Sequence, residues 1–141
     1  MYTKILVALE NGPADERLLP HVSQLARLVG AEMLLLHVAD GWAARNFEQL
    51  TLAESDEMKA DRDYLESTAT SLGATGLKVD TVLALGNPPN QIVKIAAESG
   101  CDLIALASHG HKLIGDILHG STIDKVRHNT GIPMLVVSAL R

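Results

Sequence analysis

Cysteine and aromatic residues are scarce in this chain. The chain has one cysteine, Cys101, so an internal disulfide is excluded. Proteins of a reducing compartment typically lack disulfides in this way. Aromatic residues make up only 3% of the sequence, and this scarcity argues against a flavin enzyme. The composition therefore leaves an ordinary globular protein without disulfide staples as the expectation.

The chain also lacks an excess of positive charge. Twelve Lys and Arg residues against seventeen Asp and Glu residues give a formal net charge of -5. Nucleic acid and anionic membranes both reward clustered Lys and Arg, so neither is expected as the main partner. The apolar run in MYTKILVALENG is too short for a signal peptide, and no stretch approaches a membrane span. We expect a cytoplasmic protein.

Short apolar runs alternate with amphipathic segments along the chain. At 141 residues the chain suits a single domain, residues 1–141, with a substantial core. The apolar runs predict strands at residues 3–9, 33–38, 77–85, 102–107 and 133–137. Helical spacing of apolar residues predicts four helices between them, three of which end near Gly30, Gly73 and Gly100. Residues 40–50, which include Trp42, are predicted to form a loop.

This alternation indicates an α/β fold with a parallel sheet. Right-handed crossovers lay helices on both faces, giving a five-stranded, Rossmann-like, three-layer α/β/α sandwich. Ligands of such sheets bind outside the carboxyl ends of the strands, where the strand order reverses. The residues alone leave the strand orders 3-2-1-4-5 and 2-1-3-4-5 open.

The stretch from Asp102 to Thr122, DLIALASHGHKLIGDILHGST, predicts a phosphate site. A strand leads into a segment with three glycines, and Ser121 has the form of a helix N-cap. A helix N-terminus after glycine offers free backbone N–H groups and a positive dipole end. Two familiar phosphate motifs are excluded. A P-loop needs Lys and then Ser or Thr where Asp116 and Ile117 stand, and no G-x-G-x-x-G occurs.

The pattern that fits is G-x-x-G-x(9)-G-[ST]. Gly110 and Gly120-Ser121 have the required spacing, and Ala107 stands at the first glycine position. With the segments KILVALENG, LLLHVAD, LALGNPPNQIVKIAAESGCDLIALASHG and GSTIDKVRHNTGIPMLVV, the whole chain resembles the ATP-binding branch of the universal stress protein family. The resemblance implies strand order 3-2-1-4-5, ATP as ligand with or without Mg²⁺, and a regulatory or sensing role. It also implies a homodimer through the last strand, Pro133 to Val137.

The resemblance also implies which residues surround the nucleotide. Glu10, where the family usually has Asp, would meet the adenine edge, and Val38 and Leu106 would wall the base. Glycine backbone and Ser or Thr hydroxyls would hold the phosphates. The implied site comprises Leu9, Glu10, Val38, Leu106, Ala107, His109, Gly110, Gly120, Ser121 and Thr122.

Each assignment has a structural alternative. Glu10 is equally a solvated strand-end charge, and Val38 and Leu106 by themselves are typical core residues. If the position of Ala107 requires a positive φ, alanine costs about 1 kcal/mol. If that position is only a strand end, nothing is lost.

The histidines and acids predict neither a metal site nor an active site. His109, His111 and His119 have no spacing typical of a metal centre, and His37 is predicted to be a satisfied core histidine. No catalytic triad or nucleophile elbow is present, and Asp116 is the only acid near the phosphate stretch. At most slow hydrolysis of ATP is expected. Two alternatives to a nucleotide-binding module remain, a dimeric stress scaffold without nucleotide and a slow ATPase.

Overall fold

Five strands and four helices alternate along the part of the chain that the computed structural model describes, residues 1–39, 56–109 and 120–140. In chain order they are β1 (Lys4–Ala8), α1 (Asp15–Val29), β2 (Glu32–Ala39), α2 (Asp56–Gly73), β3 (Val79–Leu85), α3 (Pro88–Glu98), β4 (Leu103–Ser108), α4 (Gly120–Asn129) and β5 (Met134–Ser138). The predicted elements are confirmed, with bounds shifted by one or two residues at the strands. The predicted loop at residues 40–50 lies outside the described residues.

All strand pairs of the sheet are parallel, and the order is β3-β2-β1-β4-β5. β1 lies in the centre, with Ile5 paired to Met33 of β2 and to Leu103 of β4. The order implied by the family resemblance is therefore confirmed, and the flavodoxin-like order is wrong. Because the chain leaves β1 for β2 on one side and returns at β4 on the other, the switch point lies between β1 and β4.

Alternate residues of the strands bury themselves in two apolar layers. Ile5, Val7 and Leu9 pack in the layer that contains the buried side chains of α1 and Leu65 of α2. Leu6 and Ala8 and their neighbours point the other way, into the layer with Ile92, Ala96 and Val126 of α3 and α4. This two-sided burial is why the strands are apolar throughout rather than alternating with polar residues.

The helix ends follow the predicted signals with one exception. Gly30 ends α1 in the left-handed conformation, with φ 72° and its N–H donated to the carbonyl of Ala26. Asn87 caps α3 by accepting the N–H of Asn90 at 3.2 Å. α4 begins at Gly120, so Ser121 lies inside the first turn rather than preceding the helix as predicted. Within the described residues, no helix is long and apolar enough to span a bilayer.

We predict that Gly30→Ala lowers the free energy of unfolding by about 1 kcal/mol, because an L side chain is strained at positive φ. A Cβ at Gly30 would meet nothing within 4 Å, so the loss reports backbone strain alone. Gly73→Ala is the matched control, since its Cβ would also meet nothing and its φ is not in the left-handed region. Urea denaturation at one protein concentration measures both variants. Equal losses in the two would contradict the assignment.

Candidate functional site

Glu10 and His109 meet where β1 and β4 end side by side. The Nε2 atom of His109 lies 2.8 Å from Oε1 and 2.7 Å from Oε2 of Glu10. Because a carboxylate only accepts, Nε2 carries the hydrogen and shares it between both oxygens. The side chain of His109 is only 14% exposed and that of Glu10 only 7%. The Glu10 side chain is therefore largely buried and paired with His109, and the alternative of a solvated strand-end charge is wrong.

The apolar residues predicted for the site lie in the core, close to the carboxyl ends of the strands. Leu9 is 2% exposed and lies immediately before Glu10, while Val38 and Leu106 are buried near the ends of β2 and β4. Val38 and Leu106 share one layer, on the α3 and α4 face of the sheet, whereas Leu9 belongs to the other. Their burial near the strand ends is compatible with two roles, as the wall of a ligand site and as ordinary core residues.

Ala107 is a regular residue of β4. It pairs with Val137 of β5 and is 1% exposed, with its side chain in the layer beneath α1. Among the described residues other than glycine, Asn11 has a positive φ and Ala107 does not. Alanine therefore carries no backbone strain at this position.

The structure describes the phosphate stretch at residues 102–109 and again from α4 onward. α4 begins at Gly120, and Thr122 in its first turn is 4% exposed. Gly110, His111, Asp116 and His119 lie outside the described residues. For Ser121 the backbone is helical and the role of the hydroxyl stays a prediction.

The turn between β1 and α1 is hydrogen-bonded to two buried polar side chains, His37 and Asp61. The Nδ1 atom of His37 lies 2.8 Å from the carbonyl oxygen of Leu9, and its Nε2 lies 3.2 Å from Oδ2 of Asp61. Asn11 donates from Nδ2 to Oδ1 of the same aspartate at 2.9 Å. His37 is thus the satisfied core histidine that the sequence predicted.

A second buried carboxylate holds the same turn from the start of α1. Asp15 accepts the backbone N–H groups of Glu10 at 3.1 Å and Asn11 at 2.9 Å. It also accepts the hydroxyl of Tyr64 at 2.6 Å. Burial, together with this hydrogen bond to a carboxylate, raises the pKa of Tyr64 above its ordinary value.

Sequence reasoning missed Asp15, Asp61 and Tyr64. Asp15 resembles any acidic residue in the first turn of a helix, where such residues are common. Asp61, Tyr64 and the buried Leu65 share a face of α2, and a charged residue on an otherwise apolar face is the one local signal available. That signal marks Asp61 as unusual without naming its partner.

Cys101 is free and buried just before β4. Burial raises the pKa of its thiol, so the reactive thiolate is disfavoured.

The chain is an α/β protein with a parallel sheet, the architecture in which ligands commonly bind at the carboxyl edge, and it has paired polar side chains at the switch point of that edge. Residues 1–138 match the model of the universal stress protein family, and the chain belongs to that family. It is 30% identical to universal stress protein MJ0577 of Methanocaldococcus jannaschii, over 97% of this chain and 95% of the relative. The solved structure of that relative has 31% identity and a TM-score of 0.77, over 100% of this chain and 99% of the other.

Two more distant solved structures share the fold and were determined with nucleotides. A universal stress protein in complex with cAMP has a TM-score of 0.71 at 15% identity, covering 99% of this chain and 98% of its own. A universal stress protein of Archaeoglobus fulgidus in complex with dAMP has a TM-score of 0.69 at 21% identity, covering 96% and 98%. At these identities the likeness to this chain is one of fold.

We predict that Tyr64 weakens the fold at alkaline pH. Since folding raises the pKa of Tyr64, its contribution to stability is complete below about pH 10, the usual tyrosine value, and declines as the pH rises further. Tyr64→Phe should be less stable than the unmodified chain at pH 8 and should lose less stability between about pH 9 and pH 11. Urea denaturation across this range measures both chains, and parallel declines would contradict the prediction.

Proposed function

We propose that residues 1–141 form one domain that binds an adenine nucleotide, specifically ATP, at the carboxyl ends of β1 and β4. The domain would act in the cytoplasm as a regulatory or sensing module of the stress response. The observation that carries the proposal is the buried pairing of Glu10 with His109 at the switch point of the sheet. The nucleotide complexes of two universal stress proteins with the same fold support the class of ligand.

The carboxylate of Glu10 would read the base. A carboxylate has about four lone-pair positions and can accept several hydrogens at once, so Glu10 could accept from the 6-amino group of adenine while it stays paired with His109. Guanine presents a carbonyl oxygen at that position, which a carboxylate repels. The buried site strengthens both effects because water screens them less. We therefore propose a preference for adenine over guanine, with Leu9, Val38, Leu106 and Ala107 forming the apolar surroundings.

The start of α4 would hold the phosphates. Backbone N–H groups at Gly120 and the preceding Gly110 stretch would donate to phosphate oxygens, aided by the positive end of the helix. The hydroxyls of Ser121 and Thr122 would donate to phosphate or ligate Mg²⁺. Ala107 is no obstacle, because its backbone is unstrained and its methyl group lies in the core.

The proposed role is binding rather than turnover. Efficient phosphoryl transfer needs an acid that holds magnesium and a base that orients the nucleophile. The sequence supplies one acid near the phosphates, Asp116, so hydrolysis would be slow at most. Phosphate binding at the start of α4 would instead be transmitted to β5, which follows that helix directly.

β5 would form the dimer interface. It is an edge strand of the sheet, and an unpaired apolar edge invites pairing with a second copy. Val136 on this strand is 44% exposed, and Leu140 just beyond it is 46% exposed. We therefore propose a homodimer through Pro133 to Val137.

Calorimetric titration of nucleotide-stripped protein tests the ligand. We expect saturable ATP binding in the presence of magnesium and weaker binding of AMP, because the triphosphate makes additional contacts. Glu10→Ala should raise the Kd for ATP about tenfold through the lost hydrogen bond, while tripolyphosphate binding stays unchanged. Glu98→Ala, which removes an exposed carboxylate at the far end of α3, is the control. No heat with either nucleotide would favour the scaffold alternative.

Light scattering tests the interface. Val136→Lys should convert the dimer to a monomer, because it places a charge on the edge that must be desolvated. Leu28→Lys is the matched control, since Leu28 is an apolar residue of α1 that is 84% exposed. A monomeric unmodified chain at micromolar concentration, or equal dissociation by both variants, would contradict the proposed interface.

A further inference from the structure

Three residues in succession, Leu9, Glu10 and Asn11, are each held by a side chain from another element. His37 of β2 binds the carbonyl of Leu9, and Asp15 of α1 accepts the N–H groups of Glu10 and Asn11. These contacts leave the backbone on both sides of Glu10 fixed. The position of the Glu10 carboxylate therefore depends on groups that do not touch the proposed ligand.

The contact between His37 and Asp61 has a defined hydrogen arrangement. The carbonyl of Leu9 can only accept, so Nδ1 of His37 carries a hydrogen. The Asp61 carboxylate also accepts, so a second hydrogen lies between Nε2 and Oδ2. The two ring nitrogens of His37 thus contact the carbonyl of Leu9 and the carboxylate of Asp61, and these two contacts fix the orientation of the imidazole.

Asp61 reaches the turn a second time through Asn11. The amide of Asn11 donates to Oδ1 of Asp61, and Asn11 has φ 59°, in the left-handed region. Asparagine tolerates this conformation better than most residues, but the conformation still costs free energy. The hydrogen bond to Asp61 offsets that cost and selects this shape of the turn.

Stability alone does not account for the burial of this pair. His37 and Asp61 are 4% and 6% exposed, and burying such groups costs free energy that hydrophobic residues of similar size would not incur. Buried ionic groups are in some proteins retained because they specify one geometry. Here the geometry specified is that of the residues flanking Glu10.

We propose that Asp61, acting through His37 and Asn11, is a positioning residue that holds Glu10 and so sets the base preference of the site. This inference rests on the proposed nucleotide function and extends it to α2, which contributes none of the residues assigned to the ligand. Loss of Asp61 changes how well adenine is distinguished from guanine and leaves the phosphate contacts intact.

Calorimetry with ATP, GTP and tripolyphosphate tests the proposal on three variants. Asp61→Ala should reduce the preference for ATP over GTP about tenfold and leave tripolyphosphate binding unchanged. Asp61→Asn should retain the preference, because its amide can accept from Asn11 and donate to a neutral His37. Asp63→Ala, on an exposed face of α2, is the control. An unchanged preference in Asp61→Ala, or an equal loss for all three ligands, would overturn the proposal.

Asn11→Gly keeps the test decisive if Asp61→Ala does not fold. Glycine accepts φ 59° without strain and removes only the amide that reaches Asp61. The base preference should fall in this variant too. A preference equal to that of the unmodified chain would overturn the proposal.

A double-mutant cycle in the free protein separates this inference from the proposed function. Glu10→Ala and His109→Ala, singly and together, give the coupling of the pair from urea denaturation. In an Asp61→Asn background the coupling should persist, and in an Asn11→Gly background it should fall by roughly half or more. A fall of the coupling in the Asn11→Gly background, together with no ATP binding by the unmodified chain, would reject the nucleotide function and retain Asp61 as the positioning residue. Equal coupling in both backgrounds would reject that role.

Discussion

The parallel pairing of β1 with strands on both of its sides is the constraint on which this structure depends. β2 follows β1 closely in the chain, whereas β4 is brought to its other side from almost 100 residues away, with Leu6 opposite Ile104. This one long-range pairing creates the switch point and makes Glu10 and His109 neighbours. The position of the candidate site is therefore a property of the strand order and not of either loop.

The same arrangement requires polar groups to be buried at the end of the sheet. Asp15, His37 and Asp61 are all nearly inaccessible, and their polar atoms face the turn after β1. Within the described residues, every buried side-chain nitrogen or oxygen has a hydrogen-bond partner. Full satisfaction offsets the cost of desolvation and gives the turn a single shape. The shape of the turn after β1 thus depends mainly on buried side chains that are not themselves assigned to the ligand.

The proposed nucleotide site and the proposed dimer interface lie in the same half of the sheet, the half formed by β1, β4 and β5. β4 carries the residues closest to the candidate site, and β5, its neighbour, is the exposed edge. α4 connects these strands and begins at the glycine that would receive phosphate. A signal from a nucleotide to a second subunit would cross only one strand and one helix, which is a short path for a domain of this size.

Much of the fold was predictable because its signals are local. Apolar runs, helical spacing and the glycines at residues 30, 73 and 100 give the elements from neighbouring residues alone. The strand order came from the family resemblance, because hydrophobic pattern does not distinguish one buried parallel strand from another. The predicted N-cap, Ser121, lies inside the first turn of α4, because cap signals in sequence define helix ends only approximately.

The candidate site divides along the same line. The sequence by itself determined that Glu10 follows a buried strand and that a helix starts close to Gly120, since both follow from local pattern. Only the tertiary structure decided that Glu10 is paired with His109, that Ala107 is an unstrained strand residue, and that Asp61 supports the turn. The reason is physical: a buried polar side chain is defined by its partner, and here the partners lie on elements that only the packing of α2 and β4 against the centre of the sheet brings together.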